Sequence, residues 1–563
     1  MPILKWLTRD EDLKKAGRAN YRLLKENVEY SYGNKDTDNM IIHGDNLEGL
    51  KALLPFYAGQ VKCIYIDPPY NTGSRIDADG KDVGYDDNLE HSIWLSMMQP
   101  RLELLREFLR EDGVIFVQID DTEQAYLKVL MDEVFGRNNF LNTIIVKTKV
   151  SAGASGGGED KKIKKNVEFL LMYCKNKALV SYKQIFKEIP IETYIAEHKD
   201  EGTGFYYTRI LKSFGDKKLI AEINGMKVYE HTNFEFTNIS NVMKEENLSL
   251  KEAYFKYFDQ IFMVTNAQTS LLTKVNDLVK EKNKLISYEY IPTTGRYKGS
   301  NISKYIWNET LVVWLRDSST KQKSGVYKKE QLGTSWDDIS WGRLDLEGKV
   351  KFKNGKKPEA LIQRIMEMTT DCGDLILDSF LGSGTTIAVA QKMGRRYIGI
   401  EMGKHAITHI LPRLRTVVDG DDSGISENVN WQGGGGFRFY ELGDTIFNED
   451  GCINPDITYE QLSAHLWFYE TKTPFTKAEQ KSTVLGIYKG TAYALLYNGI
   501  LRDKSIDGGN VLTSRTLDVI KADLGDAEYD KLVIYGEASR LGENRMRENN
   551  IEFKQTPYDI KVK

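Results

Sequence analysis

Between Leu375 and Glu401 the chain reads strand, glycine loop, helix, strand, and that order leaves few folds open. Leu375-Ile376-Leu377-Asp378 is a short apolar run ending in an acid. Ser379-Phe380-Leu381-Gly382-Ser383-Gly384-Thr385-Thr386 leads into an apolar helix over 387–393, and Arg396-Tyr397-Ile398-Gly399-Ile400-Glu401 is the next strand. A strand that returns through a helix to a second strand builds a parallel sheet, and ligands gather outside the carboxyl ends of such strands. Glycines there let the backbone approach a ligand, and an acid about 20 residues further on can accept bonds from ribose hydroxyls. Glu401 stands 17 residues beyond Gly384. No lysine follows the second glycine, which excludes a Walker phosphate loop, and Ile387 occupies the place of a dinucleotide fingerprint's third glycine. The pattern points to a nucleoside without a pyrophosphate, a description that S-adenosyl-L-methionine meets.

A second acid-tipped strand lies far upstream. Val61 to Ile66 is a β-branched and aromatic run followed by Asp67-Pro68-Pro69-Tyr70 and the turn formers Asn71, Thr72 and Gly73. Proline cannot donate to a strand ladder, so both prolines lie past the paired residues, and they fix the backbone that carries the Tyr70 ring. Met40-Ile41-Ile42 reads as a strand leading into His43-Gly44-Asp45-Asn46. There Asp45 or Asn46 caps the next helix, contacts a ligand, or does both. Val114 to Ile119 is another buried strand, followed by a helix capped at Thr122. Residues 1–40 read as polar and helical, and 74–88 as a surface loop beside the Asp67 turn.

From residue 140 the texture changes. Lys147 to Lys187 holds ten lysines against three carboxylates, Glu159, Asp160 and Glu168. Residues 190–290 read as irregular, with a helical stretch at 271–285. Between Arg296 and Trp341, Tyr297, Tyr305, Trp307, Trp314, Tyr327, Trp336 and Trp341 interleave with Lys and Arg, which suits contacts to phosphates and bases. The α/β pattern returns at Lys356-Lys357-Pro358-Glu359, and the last ~110 residues read as a separate small α/β domain. A length of 563 residues exceeds one core. The net charge of −4 argues against a uniformly basic nucleic-acid binder but leaves room for a local basic face. Four scattered cysteines support neither a disulfide framework nor a zinc site. With no membrane-spanning run and no signal peptide read, the expected location is the cytoplasm.

Asp67-Pro68-Pro69-Tyr70 together with Asp378-Ser-Phe380-Leu-Gly382-Ser-Gly384-Thr-Thr resembles the amino-group DNA methyltransferases. The order of catalytic motif, long basic insert and cofactor loop resembles their β class. Gly44-Asp45-Asn46-Leu47, Asn71-Thr72-Gly73, Lys357-Pro358-Glu359 and Gly436-Phe437-Arg438-Phe439 resemble the modification subunits of Type III restriction–modification systems. That resemblance implies a doubly wound, mostly parallel, Rossmann-like α/β methyltransferase sheet, circularly permuted. The implied division is a catalytic half at 1–139, an inserted target-recognition domain at 140–345, a cofactor half at 346–440 and a C-terminal domain at 441–563.

The activity implied is methyl transfer from S-adenosyl-L-methionine to the N6 amine of adenine in a short duplex DNA sequence, without a metal. Asp67, Pro68, Pro69 and Tyr70 would form the catalytic turn, with Asp67 and the Pro68 carbonyl accepting from the amine and Tyr70 stacked on the extruded base. Phe380, Gly382, Gly384 and Thr385 would surround the methionine portion, Asp378 would underlie it, and Glu401 would meet the ribose. Lys357 and Pro358 match the segment near the methionine carboxylate, and Asp45 and Asn46 the adenine side. Lys147, Lys149, Lys161, Lys162, Lys164, Lys165, Arg296 and Lys298 are the candidates for DNA contacts. Expected partners are a second copy of the chain and a helicase–nuclease restriction subunit. The rival readings are an orphan adenine methyltransferase, an N4-cytosine enzyme, a methyltransferase of RNA or protein amines, and a non-catalytic binding subunit.

Overall fold

The computed structural model describes residues 3–71, 74–76, 82–87, 90–148, 165–200, 204–223, 225–266, 275, 283–293, 298–352, 355–447, 453–476 and 482–556, without side chains over 74–76 and 82–87. Its contacts divide the chain into two compact units, residues 1–183 with 333–563, and residues 184–332.

The larger unit is built on one long sheet. Its strands run in the order Arg22–Glu26, Gly436–Thr445, Met40–His43, Arg396–Glu401, Leu375–Asp378, Val61–Ile66, Leu109–Ile119, Val167–Cys174, Phe140–Lys147 and Ser335–Trp336. From Gly436–Thr445 to Leu109–Ile119 every pairing is parallel. The central strands are continuous apolar runs because helices cover them. Asn46–Tyr57 and His91–Phe108 pack Leu50, Leu53, Trp94 and Leu102 against Ile64, Ile66 and Ile115.

The connections fix where a ligand can bind. From Val61–Ile66 the chain crosses through a helix to Leu109–Ile119 on one side. From Leu375–Asp378 it crosses to Arg396–Glu401 on the other, and these two starting strands are neighbours. Adjacent strands whose crossovers leave in opposite directions open a crevice between their following loops. Those loops begin at Asp67 and at Ser379, the two turns singled out from the sequence.

Several expectations change. Among the described residues of 1–40, only Arg9–Arg18 is an α-helix, while Arg22–Glu26 and Tyr32–Gly33 pair with Gly436–Thr445. The expected loop at 74–88 contains a described antiparallel pair, Ser74–Ile76 with Asp82–Asp87. Thr122 does not cap the following helix, Gln124–Met131; its own N–H donates to Asp120. Phe140–Lys147 and Val167–Cys174 continue the large sheet by antiparallel pairing, so the compact smaller unit starts at 184 and not at 140.

Nor is 190–290 irregular. It contributes to an eight-stranded antiparallel sheet ordered Asp216–Ile223, Met226–Thr232, Leu285–Tyr290, Ile302–Trp307, Thr310–Trp314, Ile261–Thr265, Arg209–Ser213 and Glu235–Asn238. Asp216–Ile223 is an edge strand exposed along most of its length, which is why its polar residues hide the pattern. The helical stretch expected at 271–285 lies almost wholly outside the described residues.

Of the interleaved aromatics, Trp314 and Trp336 are core and Tyr305 and Trp307 pack against it, while Tyr297 lies outside the described residues. Trp314 is 5% exposed and meets Tyr305 and Phe262 edge-on, Trp307 packs on Phe236, and Trp336 is 2% exposed. A four-stranded sheet of Val484–Tyr488, Thr491–Leu495, Lys531–Gly536 and Ile551–Gln555 closes the larger unit. Among the described residues no helix is long and apolar enough to cross a membrane.

Candidate active site

Val61–Ile66 delivers Asp67 to the carboxyl edge of the sheet, with its side chain 19% exposed. The turn behind it is held at two points. The Trp94 indole donates to the Pro69 carbonyl at 2.7 Å. Asn71 adopts φ +61°, a left-handed conformation that asparagine tolerates, and donates to Glu123 at 2.8 Å. The Tyr70 hydroxyl then folds back onto Asp67 Oδ1 at 2.6 Å.

Lys357 enters this turn from the far part of the chain. Its Nζ lies 2.8 Å from the Tyr70 hydroxyl, 3.1 Å from Asp67 Oδ2 and 3.3 Å from Glu168 Oε2. Tyr70 is also 3.0 Å from Glu168 Oε2. Its single hydrogen serves one carboxylate at a time while its oxygen accepts from the ammonium. Gln118 donates to Glu168 from the neighbouring strand and accepts from the Tyr65 hydroxyl. Glu168 reaches the site because Val167–Cys174 runs antiparallel to Leu109–Ile119, which puts its first residues at the ligand edge.

One ammonium between two carboxylates divides their acidities. Burial pushes the Asp67 carboxyl up; Lys357 pulls it down and Glu168 pushes it up again, leaving it above the usual range. Burial also works to raise Glu168, but Lys357, Gln118 and Tyr70 outweigh it and hold that carboxyl below its usual range. Burial works to lower Lys357, and the two carboxylates overcome it, so its ammonium is held above its ordinary value. Glu168 is thus the firmly ionised member, and Asp67 the one with raised proton affinity.

Across the crevice, Leu375–Asp378 ends in the glycine loop. Asp378 accepts from the Phe380 N–H at 2.9 Å and from the Thr386 hydroxyl at 2.6 Å, and burial raises it to about 7. Gly382 and Gly384 sit at φ +55° and +77°, where a side chain would be strained. A Cβ on Gly382 would meet only the Phe380 carbonyl, at 3.9 Å, so that stretch of backbone faces open space. The buried Ser379 hydroxyl makes no hydrogen bond in the structure. Glu401 closes the loop by accepting from Gly382 N–H at 2.8 Å and Gly403 N–H at 2.7 Å, and His405 Nε2 is 2.9 Å from the same oxygen as Gly403, Oε1.

The two halves are stitched together. Asn46 donates to the Ser379 carbonyl at 2.7 Å, and Thr385 donates to the Lys357 carbonyl at 3.2 Å. Asp45 is the helix cap, accepting from Leu47 and Glu48, and Arg101 binds both Asp45 and Asn46. Pro358 is the buried residue before the helix Glu359–Thr369. Beneath the loop, fully buried Arg413 donates to Thr385 at 2.7 Å and to Glu359 at 2.8 Å, and Lys392 bridges Glu359 and Asp421 at 2.9 and 2.6 Å.

This same stretch matches a family profile described as DNA methylase, over residues 61–411. The chain belongs to the DNA methylase family. It is 44% identical over 416 residues to a protein named as a probable Type III restriction-modification enzyme HindVI Mod subunit from Haemophilus influenzae, covering 73% of this chain and 54% of that one. It is 28% identical over 395 residues to the EcoPI Mod subunit of Escherichia phage P1, covering 63% and 55%. The chain thus spans about half the length of the curated relatives it matches. Among solved structures, the PvuII cytosine-N4-specific DNA methyltransferase is similar at 13% identity and a TM-score of 0.33, over 70% of this chain and 91% of that one.

In this methylase the structure brings together Asp67, Tyr70 and Lys357; the sequence reading put Lys357 near the methionine carboxylate, whereas its side chain lies at the Asp67 turn and its carbonyl meets Thr385 beside the glycine loop. Sequence reasoning missed Glu168 and Gln118. The available signal was one acid at the head of an apolar strand inside a lysine-rich stretch. Of the candidate DNA contacts, Lys147 and Lys298 are exposed, and Lys165 is exposed but paired with Asp120 at 3.3 Å and with Asp121. Lys149, Lys161, Lys162, Lys164 and Arg296 lie outside the described residues.

Proposed function

We propose that this chain is the methyl-transferring portion of a Type III modification subunit, acting from S-adenosyl-L-methionine on the N6 amine of adenine in duplex DNA. The observation that carries this reading is the crevice at the switch of strand order, lined on one side by the Asp67 turn and on the other by the open glycine loop. The relatives named as Mod subunits support the Type III assignment. An aspartate at the head of the Asp67-Pro-Pro-Tyr70 motif, which resembles the adenine enzymes, supports N6 over the N4 of cytosine.

The loop suits the cofactor by its chemistry. Open backbone at Gly382, an unpartnered Ser379 hydroxyl, the Phe380 ring and the Glu401 carboxylate together offer donors, an apolar face and a ribose acceptor. The cofactor, when bound, supplies an electrophilic methyl group on a sulfonium. Lys357, Pro358 and Thr385 hold the loop's flank, while Asp378 fixes its first turn from below. Asp45 and Asn46, tied to Arg101, fix its other flank.

The residues of the Asp67 turn handle the amine. A ring-conjugated amine is a poor nucleophile because its lone pair is delocalised. Asp67 accepts one amine hydrogen and the Pro68 carbonyl the other, which favours a pyramidal nitrogen. Tyr70 offers its ring to a base taken out of the stack. Asp67, with its raised proton affinity, is suited to take the proton that nitrogen sheds as its new bond to carbon forms. Most of the acceleration then comes from positioning.

Duplex DNA, a second copy of the chain and a helicase–nuclease subunit complete the assembly proposed. The test incubates the purified chain with radiolabelled S-adenosyl-L-methionine and, in parallel, unmethylated DNA, RNA and protein, then identifies the labelled nucleoside or residue by mass spectrometry. N6-methyladenine is expected. N4-methylcytosine would reassign the base, and label on RNA or protein alone would overturn the DNA reading.

A further inference from the structure

Glu168 comes from a strand that the sequence assigned to the insert, yet it meets Tyr70, Gln118 and Lys357 in the site. It shares the Lys357 ammonium with Asp67, shares the Tyr70 hydroxyl with Asp67, and is itself held by Gln118. The Gln118 amide has its oxygen occupied by the Tyr65 hydroxyl, so its nitrogen is committed to Glu168. Glu168 is therefore fixed from the sheet side, and beside its through-space repulsion it acts on Asp67 through the two groups that both touch.

We propose that Glu168 is a positioning residue for methyl transfer, drawing the Lys357 ammonium and the Tyr70 hydroxyl partly away from Asp67 so that Asp67 stays an available acceptor for the substrate amine. The inference rests on the methyltransferase reading above. An ammonium has three hydrogens, and in this site they face one hydroxyl and two carboxylates. With Glu168 neutral, the full charge of Lys357 settles on Asp67. A carboxylate locked in such a contact pair gains little from a neutral amine and has a weakened pull on its proton. With Glu168 charged, the attraction is divided and Asp67 keeps both properties.

Among the described residues, these groups face the pair. Lys357 comes from the segment before Glu359–Thr369, Tyr70 from the turn, and Gln118 and Tyr65 from the two strands beneath, while Asp67 and Asp378 interact through space. Lys357 is the cation among them. Removing the Glu168 charge therefore shifts the balance at Asp67 in one direction, towards easier ionisation.

The test compares wild type, Glu168→Gln and Glu168→Asp for kcat, KM, cofactor Kd and the pH profile of methyl transfer. Glu168→Gln keeps the shape and removes the charge. The expected result is a fall in kcat of roughly tenfold or more, an unchanged cofactor Kd, and an acidic limb of the kcat profile moved to lower pH. Glu168→Asp, which restores the charge, should recover part of kcat and return the limb towards wild type. If Glu168→Gln is folded and keeps wild-type kcat and pH profile, the inference is overturned. If Glu168→Gln does not fold, Glu168→Ala, which also removes the charge, is read by the same criterion. An inactive wild type would remove the methyltransferase reading instead, and this inference with it.

Discussion

Lys357 Nζ donates to the Tyr70 hydroxyl at 2.8 Å across 287 positions of the chain. The carbonyl of the same residue accepts from Thr385, at the start of the helix that follows the glycine loop. One residue therefore ties the catalytic turn to the loop across the crevice. The charge-bearing atoms and the loop are nonetheless served by different atoms of Lys357, which makes their roles separable by mutation.

Asp67→Ala should abolish methyl transfer while cofactor affinity stays within a few-fold of wild type, because Asp67 makes no hydrogen bond to the glycine loop. Calorimetric binding of S-adenosyl-L-methionine beside turnover on unmethylated DNA checks both halves. Near-normal turnover would remove Asp67 from the chemistry.

Glu401→Ala should act the other way and weaken the cofactor. It loses the acceptor proposed for ribose together with the bonds that hold Gly382 and Gly403. Hydrogen bonds to a charged group contribute about 1.5–3 kcal/mol each, so affinity should fall at least roughly tenfold. A cofactor Kd equal to wild type would confine Glu401 to a structural role.

Asp378 gives a pH signature in stability. Its carboxyl is raised from 3.8 to about 7 by burial, so the folded chain favours the protonated form. The stability this group contributes is fully present below pH 3.8 and is lost as pH rises through about 7. The loss amounts to about 4 kcal/mol, at about 1.4 kcal/mol per pKa unit. Asp378→Asn can keep both hydrogen bonds, since the amide oxygen accepts from Phe380 and the nitrogen donates to Thr386. Urea denaturation at a series of pH values should show the wild type losing stability relative to this variant between pH 4 and 7.5. Parallel curves would mean that Asp378 stays ionised throughout.

Why the sequence revealed one part of the site and concealed another follows from how each part is encoded. The Asp67 turn and the Asp378–Thr386 loop are contiguous, so prolines, glycines and the acids between them carry their geometry locally. Lys357 and Glu401 were visible only as motif members, and their distinct partners depend on strand order. Glu168 was concealed because its role arises from one antiparallel pairing, Val167–Cys174 on Leu109–Ile119, in a stretch whose lysines dominate the composition. The tryptophans of 307–336 misled for the opposite reason, since a basic surface strand and a core aromatic alternate within the same few residues.

Glu359→Ala should destabilise the larger unit by about 3–5 kcal/mol, the cost of leaving buried charges unpaired. Glu359 is the shared partner of Lys392 and Arg413, all three fully buried, and Arg413 also holds the Thr385 hydroxyl. Thermal denaturation measures the loss, and a change under 1 kcal/mol would show that Asp421 and solvent compensate.

The last expectation concerns which residues choose the DNA sequence. Residues 184–332 form their own compact unit with their own cores, one around Ile210, Tyr254 and Ile261 and another around Phe262 and Trp314. A pocket at the edge of a sheet presents one base to the chemistry, and reading several bases in the grooves requires a surface beyond it. Exchanging 184–332 with the matching unit of a related enzyme should therefore leave methyl transfer intact and move it to a new sequence. The cut must fall at 183/184 and 332/333. An exchange of 140–345 would also remove the Phe140–Lys147, Val167–Cys174 and Ser335–Trp336 strands, and Glu168 with them. Single-molecule sequencing of DNA modified by each chimaera locates the methylated positions. An active chimaera that still marks the original site would place sequence choice in the larger unit.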